Sequence, residues 1–338
     1  MSGALQSVLM NQRSTVAAAS STIAMSHSTS PFVSVYPFSA GFGTKYANPA
    51  TLPAGTGYDV TFNPTNTDIA VAHATTPFIS VYPWSAGFGT KYADPATLPA
   101  GTGNGVAFNP AGTVIAVATQ SSPGVAAYPW SAGFGTKYAD PASTVPIGLS
   151  ANFSPSGADV VFSSNSSPYV NAYPWSSGFG VKYSNPATLP AAAAREAVFS
   201  PDGATVAVVY DASPFISAYP WSAGFGTKYA DPATLPNGGR GVAFTSAGTT
   251  IGMTGDSTPY IFVYPWSAGF GTKYANPATL PADFGLGIDF SPSGTDIAMA
   301  IVSTPYVVAY PWSSGFGTKY ADPATLPTGL GRRVRFSN

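Results

Sequence analysis

Apolar and polar positions alternate in short runs along almost the whole chain, and each run is cut off by glycine, proline, asparagine or serine. Period two marks a half-buried strand, and no stretch keeps the 3.6-residue period of an amphipathic helix. The segment from Tyr58 onward shows the unit. YDVTF is extended and leads into NPTN, a turn whose counterparts are NPAG at 109–112, SPSG at 154–157, SPDG at 200–203 and SPSG at 291–294. Proline at the second place presets φ, and glycine at the fourth accepts the left-handed conformation that closes a hairpin. DIAVAHA is a second strand, TTP a break, and FISVYPW a third strand with Phe78, Ser80, Tyr82 and Trp84 facing one way and Ile79, Val81 and Pro83 the other. The loop SAGFG then leads to TKYADPATLP, whose prolines confine it to a short edge strand.

This unit recurs. The third aromatic of YPW, once YPF, falls at Phe38, Trp84, Trp130, Trp175, Trp221, Trp266 and Trp312, with spacings of 45 or 46 residues. A second marker falls at Phe62, Phe108, Phe153, Phe199, Phe244, Phe290 and Phe336. Four strands per 46 residues, seven times over, predict an all-β fold: a seven-bladed β-propeller of four-stranded antiparallel blades. One period before Phe62 lies Val16, in the degenerate STVAA, whereas Phe336 keeps the marker. RRVRFSN (332–338) is therefore expected to supply the innermost strand of the blade whose other strands lie in 21–53, closing the ring. The propeller then spans 21–338, and residues 1–20 form an N-terminal arm, a candidate for joining copies of the chain.

The segment VFSPDGATVAVVYDASPFISAYPW (198–221) resembles the inner three strands of a WD-repeat or YVTN-type blade, although Tyr-Pro-Trp replaces the Trp-Asp dipeptide. The resemblance covers roughly residues 21–338 and implies the propeller fold. YPWSAGFGTKYADPATLP and its near copies also resemble repeats of proteins encoded by tailed bacteriophages, which implies a virion structural or accessory role such as capsid decoration, tail or fibre component.

Composition narrows the classes. With 45% hydrophobic residues the chain has material for a core, so its 36 glycines and 33 prolines read as turn punctuation and not as disorder. A formal charge of −1 offers no basic surface to a nucleic-acid backbone. Without cysteine there are no disulfides, thiolate metal sites or cysteine nucleophiles. No run reaches the roughly 18 apolar residues of a membrane helix, and no basic n-region precedes an apolar stretch at the start. The expected place is a virion or extracellular surface, reached without a recognisable signal peptide.

Most repeated residues have a structural explanation. Aromatics on both faces of a blade are expected to be wedges between blades. Lys45, Lys91, Lys137, Lys182, Lys228, Lys273 and Lys319 occupy one repeat position and are expected around the rim, with Asp94, Asp140, Asp231 and Asp322 three residues on. Between the copies, variation concentrates in two places that open on one end of the propeller. The end of the second strand reads His27, His73, Thr119, Ser164, Tyr210, Gly255 and Ile301, and the connection into the first strand reads AGTGYD, AGTGNG, PIGLSA, AAAAREA, PNGGRG, ADFGLG and TGLGRR. Drift after duplication explains this, as does diversification for a partner. The candidate binding residues are accordingly His27, His73, Thr119, Ser164, Tyr210, Arg195, Glu196, Arg240, Asp283, Phe284 and Arg332, with other virion proteins or a cell-surface glycan as partners.

Catalytic chemistry is short of residues: two histidines at equivalent positions, one glutamate, no G-x-S-x-G elbow and no phosphate loop. The expectation is a non-enzymatic binding or assembly propeller with no cofactor and no metal, the alternatives being a lectin-like propeller with repeated weak sites and an enzyme with a pocket at the variable end.

Overall fold

The computed structural model describes residues 21–337. Among them there is no helix, and twenty-one strands form seven three-stranded antiparallel sheets. Strands β1 (Ser21–His27) and β2 (Val33–Phe38) come first. Two triplets follow, β3 (Gly57–Phe62), β4 (Asp68–His73) and β5 (Ile79–Pro83), then β6 (Gly103–Phe108), β7 (Val114–Thr119) and β8 (Val125–Pro129). The next two are β9 (Gly148–Phe153), β10 (Asp159–Ser164) and β11 (Val170–Pro174), then β12 (Ala194–Phe199), β13 (Thr205–Tyr210) and β14 (Ile216–Pro220). The series ends with β15 (Val242–Phe244), β16 (Thr250–Thr254) and β17 (Ile261–Pro265), β18 (Gly285–Phe290), β19 (Asp296–Ile301) and β20 (Val307–Pro311), and a last strand β21 (Gly331–Phe336).

Each triplet is one sheet, and the first sheet is completed from the far end of the sequence. Its order is β2-β1-β21, with Met25 opposite Val334 and Ile23 opposite Phe336. Ser337 extends the pairing, donating its N–H to the Thr22 carbonyl at 2.7 Å. The first strands of successive sheets lie side by side from β3 through β18, and β21 lies between β18 and β3. Seven such sheets make a seven-bladed β-propeller. The expected arm at 1–20 lies outside the described residues.

The turns behave as their residues require. Gly203 donates to the Ser200 carbonyl at 2.9 Å with φ of 72°, and Asn66 takes the same left-handed place, at φ of 55°, in the copy without glycine.

The expected fourth strand is absent: each blade has three strands, and the TKYADPATLP segment crosses the outer edge without a ladder. In the β3–β5 sheet the preceding loop makes one bridge, between Trp84 and Phe88, and the segment itself attaches through Tyr92, whose N–H donates to the Val81 carbonyl at 2.9 Å and whose hydroxyl donates to Asp68 at 2.8 Å. Pro95 and Pro99 carry no N–H, so the segment lacks the donors a fourth strand needs.

The core lies between the blades. Tyr82 and Trp84 pack with Ala24, Val33 and Val35 of the preceding sheet, whereas Ile79 and Val81 pack with Val106 and Ile115 of the next. This is the expected alternation of FISVYPW with both faces buried. Each YPW tyrosine also reaches back one blade: Tyr82 donates to the Thr51 carbonyl at 2.8 Å and Tyr128 to that of Thr97 at 2.9 Å. Trp130 meets Tyr92 of the preceding blade edge-on, 5.1 Å between centroids, and donates its Nε1–H to Asp68 at 3.1 Å. Such edge contacts add about 0.5–1.5 kcal/mol beyond area burial.

Candidate functional site: an arginine-lined axial pocket

At the variable end, a cavity of about 290 Å³ opens on the axis of the propeller. It is lined by the same repeat position from all seven blades: Tyr58, Asn104, Leu149, Arg195, Arg240, Leu286 and Arg332, with Gln120 and Arg333 completing the wall. In six blades this is the second residue of the first strand, and the pairing register shifts there, so the side chain belongs to a β-bulge. A bulge leaves one residue out of the ladder and re-aims its side chain. In the remaining blade the first strand is shorter, and Arg240 precedes it by two residues. The strand start passes close to the preceding blade: a Cβ on Gly103 would sit 2.3 Å from the Phe78 carbonyl oxygen, so no larger residue fits that approach.

Two pocket arginines are held by carboxylates. Arg195 grips Asp211 through both Nε, at 2.9 Å, and Nη2. Arg240 grips Asp256 through Nε at 2.9 Å and Nη2 at 3.0 Å, and its Nη1 lies 3.2 Å from Asp211. The Asp256 bond is the chief reason the Arg240 guanidinium is held above its ordinary pKa. Asn104 is positioned by its bonds to the Gly148 carbonyl at 2.8 Å and to Gln120 at 3.1 Å. Arg332 differs. Its guanidinium lies over the Tyr58 ring, 5.0 Å from the centroid, and no carboxylate of the described residues pairs with it.

Below the pocket the axis is filled. The first strands present unpaired edges to one another, and side chains of the preceding blade satisfy them. Asp59 accepts from Val106 N at 3.0 Å, Ser150 from Ala197 N at 3.1 Å, and Asp289 from Phe336 N at 2.8 Å. Arg333 spans the axis to donate to the carbonyls of Leu286, of Arg240 at 3.1 Å and of Arg195 at 3.3 Å. Glu196, the single glutamate of the chain, faces Arg333 at 3.2 Å and Arg335 at 2.7 Å and accepts from Val242 N at 2.9 Å. Burial opposes the Arg335 charge, but Glu196, Asp59 and Asp289 together outweigh it and hold its pKa above the ordinary value. Burial pushes the Asp289 carboxyl up to about 6 and raises that of Asp59.

The structure thus brings Arg195, Arg240 and Arg332 together and sets Glu196 beneath them as an internal clamp. The rest of the variable set lies elsewhere. His27, His73, Thr119 and Ser164 are fully buried and Tyr210 nearly so. His27 and His73 each share a 3.0 Å bond with a serine of the neighbouring strand, Ser34 and Ser80, and burial lowers both imidazole pKa values to about 4. Thr119 and Ser164 donate to the carbonyls of Ser121 and Ser166, and Tyr210 shares a bond with Ser217. These five side chains each make a bond within their own sheet, the Nδ1 atoms of both histidines being left without a partner, and none of the five lines the axial pocket. Asp283 accepts from the Phe284 N–H at 2.8 Å, and neither residue lines the pocket. Tyr58, Asn104, Leu149 and Leu286 were not singled out by the sequence, although they stand in the same column of the variable connection. Among the described residues no three His, Asp or Glu side chains cluster to hold a metal ion.

No protein-family model and no curated protein sequence matches the chain, so the likeness to WD repeats and phage repeats finds no support. Solved structures do match. A proposed 6-phosphogluconolactonase from Bacteroides uniformis superposes with a TM-score of 0.69 at 15% identity, covering 94% of this chain and 99% of the other. The periplasmic gluconolactonase of Pseudomonas aeruginosa gives 0.68 at 15% identity, with 94% and 99% covered. Hydrazine synthase of Kuenenia stuttgartiensis gives 0.63 at 12% identity, with 82% and 88% covered. These likenesses establish the propeller fold, and they overturn the expectation of a phage virion protein without catalysis: these three structures carry enzyme descriptions, two of them as lactonases.

Proposed function

We propose that the protein is a propeller hydrolase that opens a small sugar lactone in its axial pocket. The observation that carries this reading is the convergence of Arg195, Arg240 and Arg332, one per blade, on a single cavity, together with the lactonase descriptions of two fold neighbours. A cavity of this size, near the lower end for ligand sites, suits a small molecule. Leu149, Leu286 and Tyr58 offer apolar surface to the C–H faces of a sugar ring, and the Asn104 and Gln120 amides suit its hydroxyls.

Ring opening adds water to the lactone carbonyl, places negative charge on its oxygen, then breaks the ring C–O bond as the alkoxide takes a proton. Guanidinium groups at the pocket wall stabilise that charge as it develops. Asp211, not itself a lining residue but bridging the lining Arg195 and Arg240, is the carboxylate that would take the proton from the attacking water and return it to the leaving oxygen. In the same reading the β21–β1 pairing closes the ring of blades, which keeps the seven lining positions at fixed spacing.

The test is acid release from δ-gluconolactone and 6-phosphogluconolactone, measured against the spontaneous rate. Saturable hydrolysis is expected, with kcat falling about a hundredfold in Asp211→Asn. A rate equal to the spontaneous one at every protein concentration overturns the reading.

A further inference from the structure

The pocket arginines are not equivalent. Asp211 and Asp256 hold Arg195 and Arg240 by two-pronged bonds, and Arg333 is spent on Glu196 and three carbonyls below the pocket. Arg332 alone reaches the cavity without an ion pair among the described residues; residues 1–20 contain no aspartate or glutamate to supply one. Its Nε is shut off from solvent and has no hydrogen-bond partner. A buried donor without an acceptor costs free energy, and a charged one costs more. The ring of Tyr58 fixes the guanidinium plane and accepts no conventional hydrogen bond.

We propose that Arg332 is the anion-recognition residue of the axial pocket and that its ligand is an unphosphorylated sugar acid carrying one carboxylate. This deepens the lactonase reading and rests on it for the sugar; the charge of the ligand rests on the pocket alone. One uncompensated guanidinium, fixed in its plane, matches one carboxylate, which it meets with paired N–H donors. A phosphate ester brings a second negative charge for which the pocket holds no unpaired cation, and drawing on Arg195 or Arg240 means breaking a bidentate pair. Burial, and to a lesser degree the neighbouring Arg333, presses the Arg332 pKa down against the opposing effect of Tyr58, and an incoming anion favours the charged form. The pocket then retains the acid released by ring opening, and the product competes with the lactone.

Calorimetric titration of the full chain with D-gluconate, 6-phosphogluconate and inorganic phosphate tests this without requiring turnover. Gluconate is expected to bind, 6-phosphogluconate to bind no tighter, and phosphate not to displace gluconate. Arg332→Gln should weaken gluconate at least tenfold with an unchanged melting temperature, and Arg332→Lys should restore part of the loss. Tighter binding of 6-phosphogluconate, displacement by phosphate, absence of gluconate binding, or unaltered affinity in Arg332→Gln overturns the proposal. If Arg332→Gln does not fold, the order of the two sugar acids on the unaltered protein still decides. Gluconate binding without lactone hydrolysis sinks the hydrolase reading and leaves the role of Arg332 standing.

Discussion

The rim and the axis treat charge in opposite ways. All seven lysines sit at one repeat position on the rim, each beside an Asp or Asn three residues on, as in Lys91 with Asp94 and Lys273 with Asn276. Five of the six arginines gather at the axis, on three different blades, among carboxylates that are mostly enclosed. The rim repeats one solution because its seven sites never meet. The axis cannot, since seven equivalent positions converge there and identical cations would repel one another. Diversity at the convergent position is what turns a symmetric fold into an asymmetric pocket.

The sharpest way to break the comparison is to remove the strand that carries three of the axial arginines. A chain ending at residue 330 loses β21, exposes the edge of β1 and leaves Glu196 without either partner. Calorimetry should show its unfolding transition lowered by well over ten degrees or lost; an unchanged transition refutes the role assigned to β21.

Glu196→Gln comes next. It leaves Arg333 and Arg335 facing a neutral amide in a closed space, with an expected cost of about 3–5 kcal/mol by denaturant unfolding.

Third is pH. The folded imidazoles of His27 and His73 titrate near 4 and the unfolded ones near 6.5, so the unfolded chain binds more protons between those values. Their contribution is full above pH 6.5 and is lost as pH falls towards 4, with an upper bound of roughly 3 kcal/mol each. Asp59 and Asp289, with raised pKa values, act in the opposite sense over part of this window. The double variant His27→Thr/His73→Thr, which copies the third-repeat residue Thr119, isolates the histidine part: its melting temperature should fall less between pH 7 and 5 than that of the unaltered protein.

Smallest is the rim. Lys91→Ala should cost no more than about 1 kcal/mol, because half of its ion pair is open to solvent. A cost matching that of Glu196→Gln would erase the distinction between rim and axis.

Much of the fold is legible in the residues. The NPTN and SPDG turns, the YPW spacing and the marker Phe336 specify seven hairpin-rich units and the pairing of the last strand with the first sheet, since each is a local preference or a count along the chain. The fourth strand is the failure: a proline-rich segment running along a sheet edge is compatible with a short strand, and only the packed blade shows that it makes isolated bonds in place of a ladder. The site is half legible. Arg195, Arg240 and Arg332 stand out as changes within a repeat, but so do His27, His73 and Tyr210, which turn inward.

By itself the sequence determined the number of blades, their turns, the aromatic wedges between them and the end of the propeller that varies, because all of these follow from periodicity and local conformational preference. Only the tertiary structure decided which variable column faces the axis. That depends on a one-residue bulge at the start of six of the seven first strands and on the approach of opposite blades to ion-pair distance, and neither leaves a mark in a linear pattern. The same arrangement separates the paired Arg195 and Arg240 from Arg332, which no carboxylate of the described residues pairs.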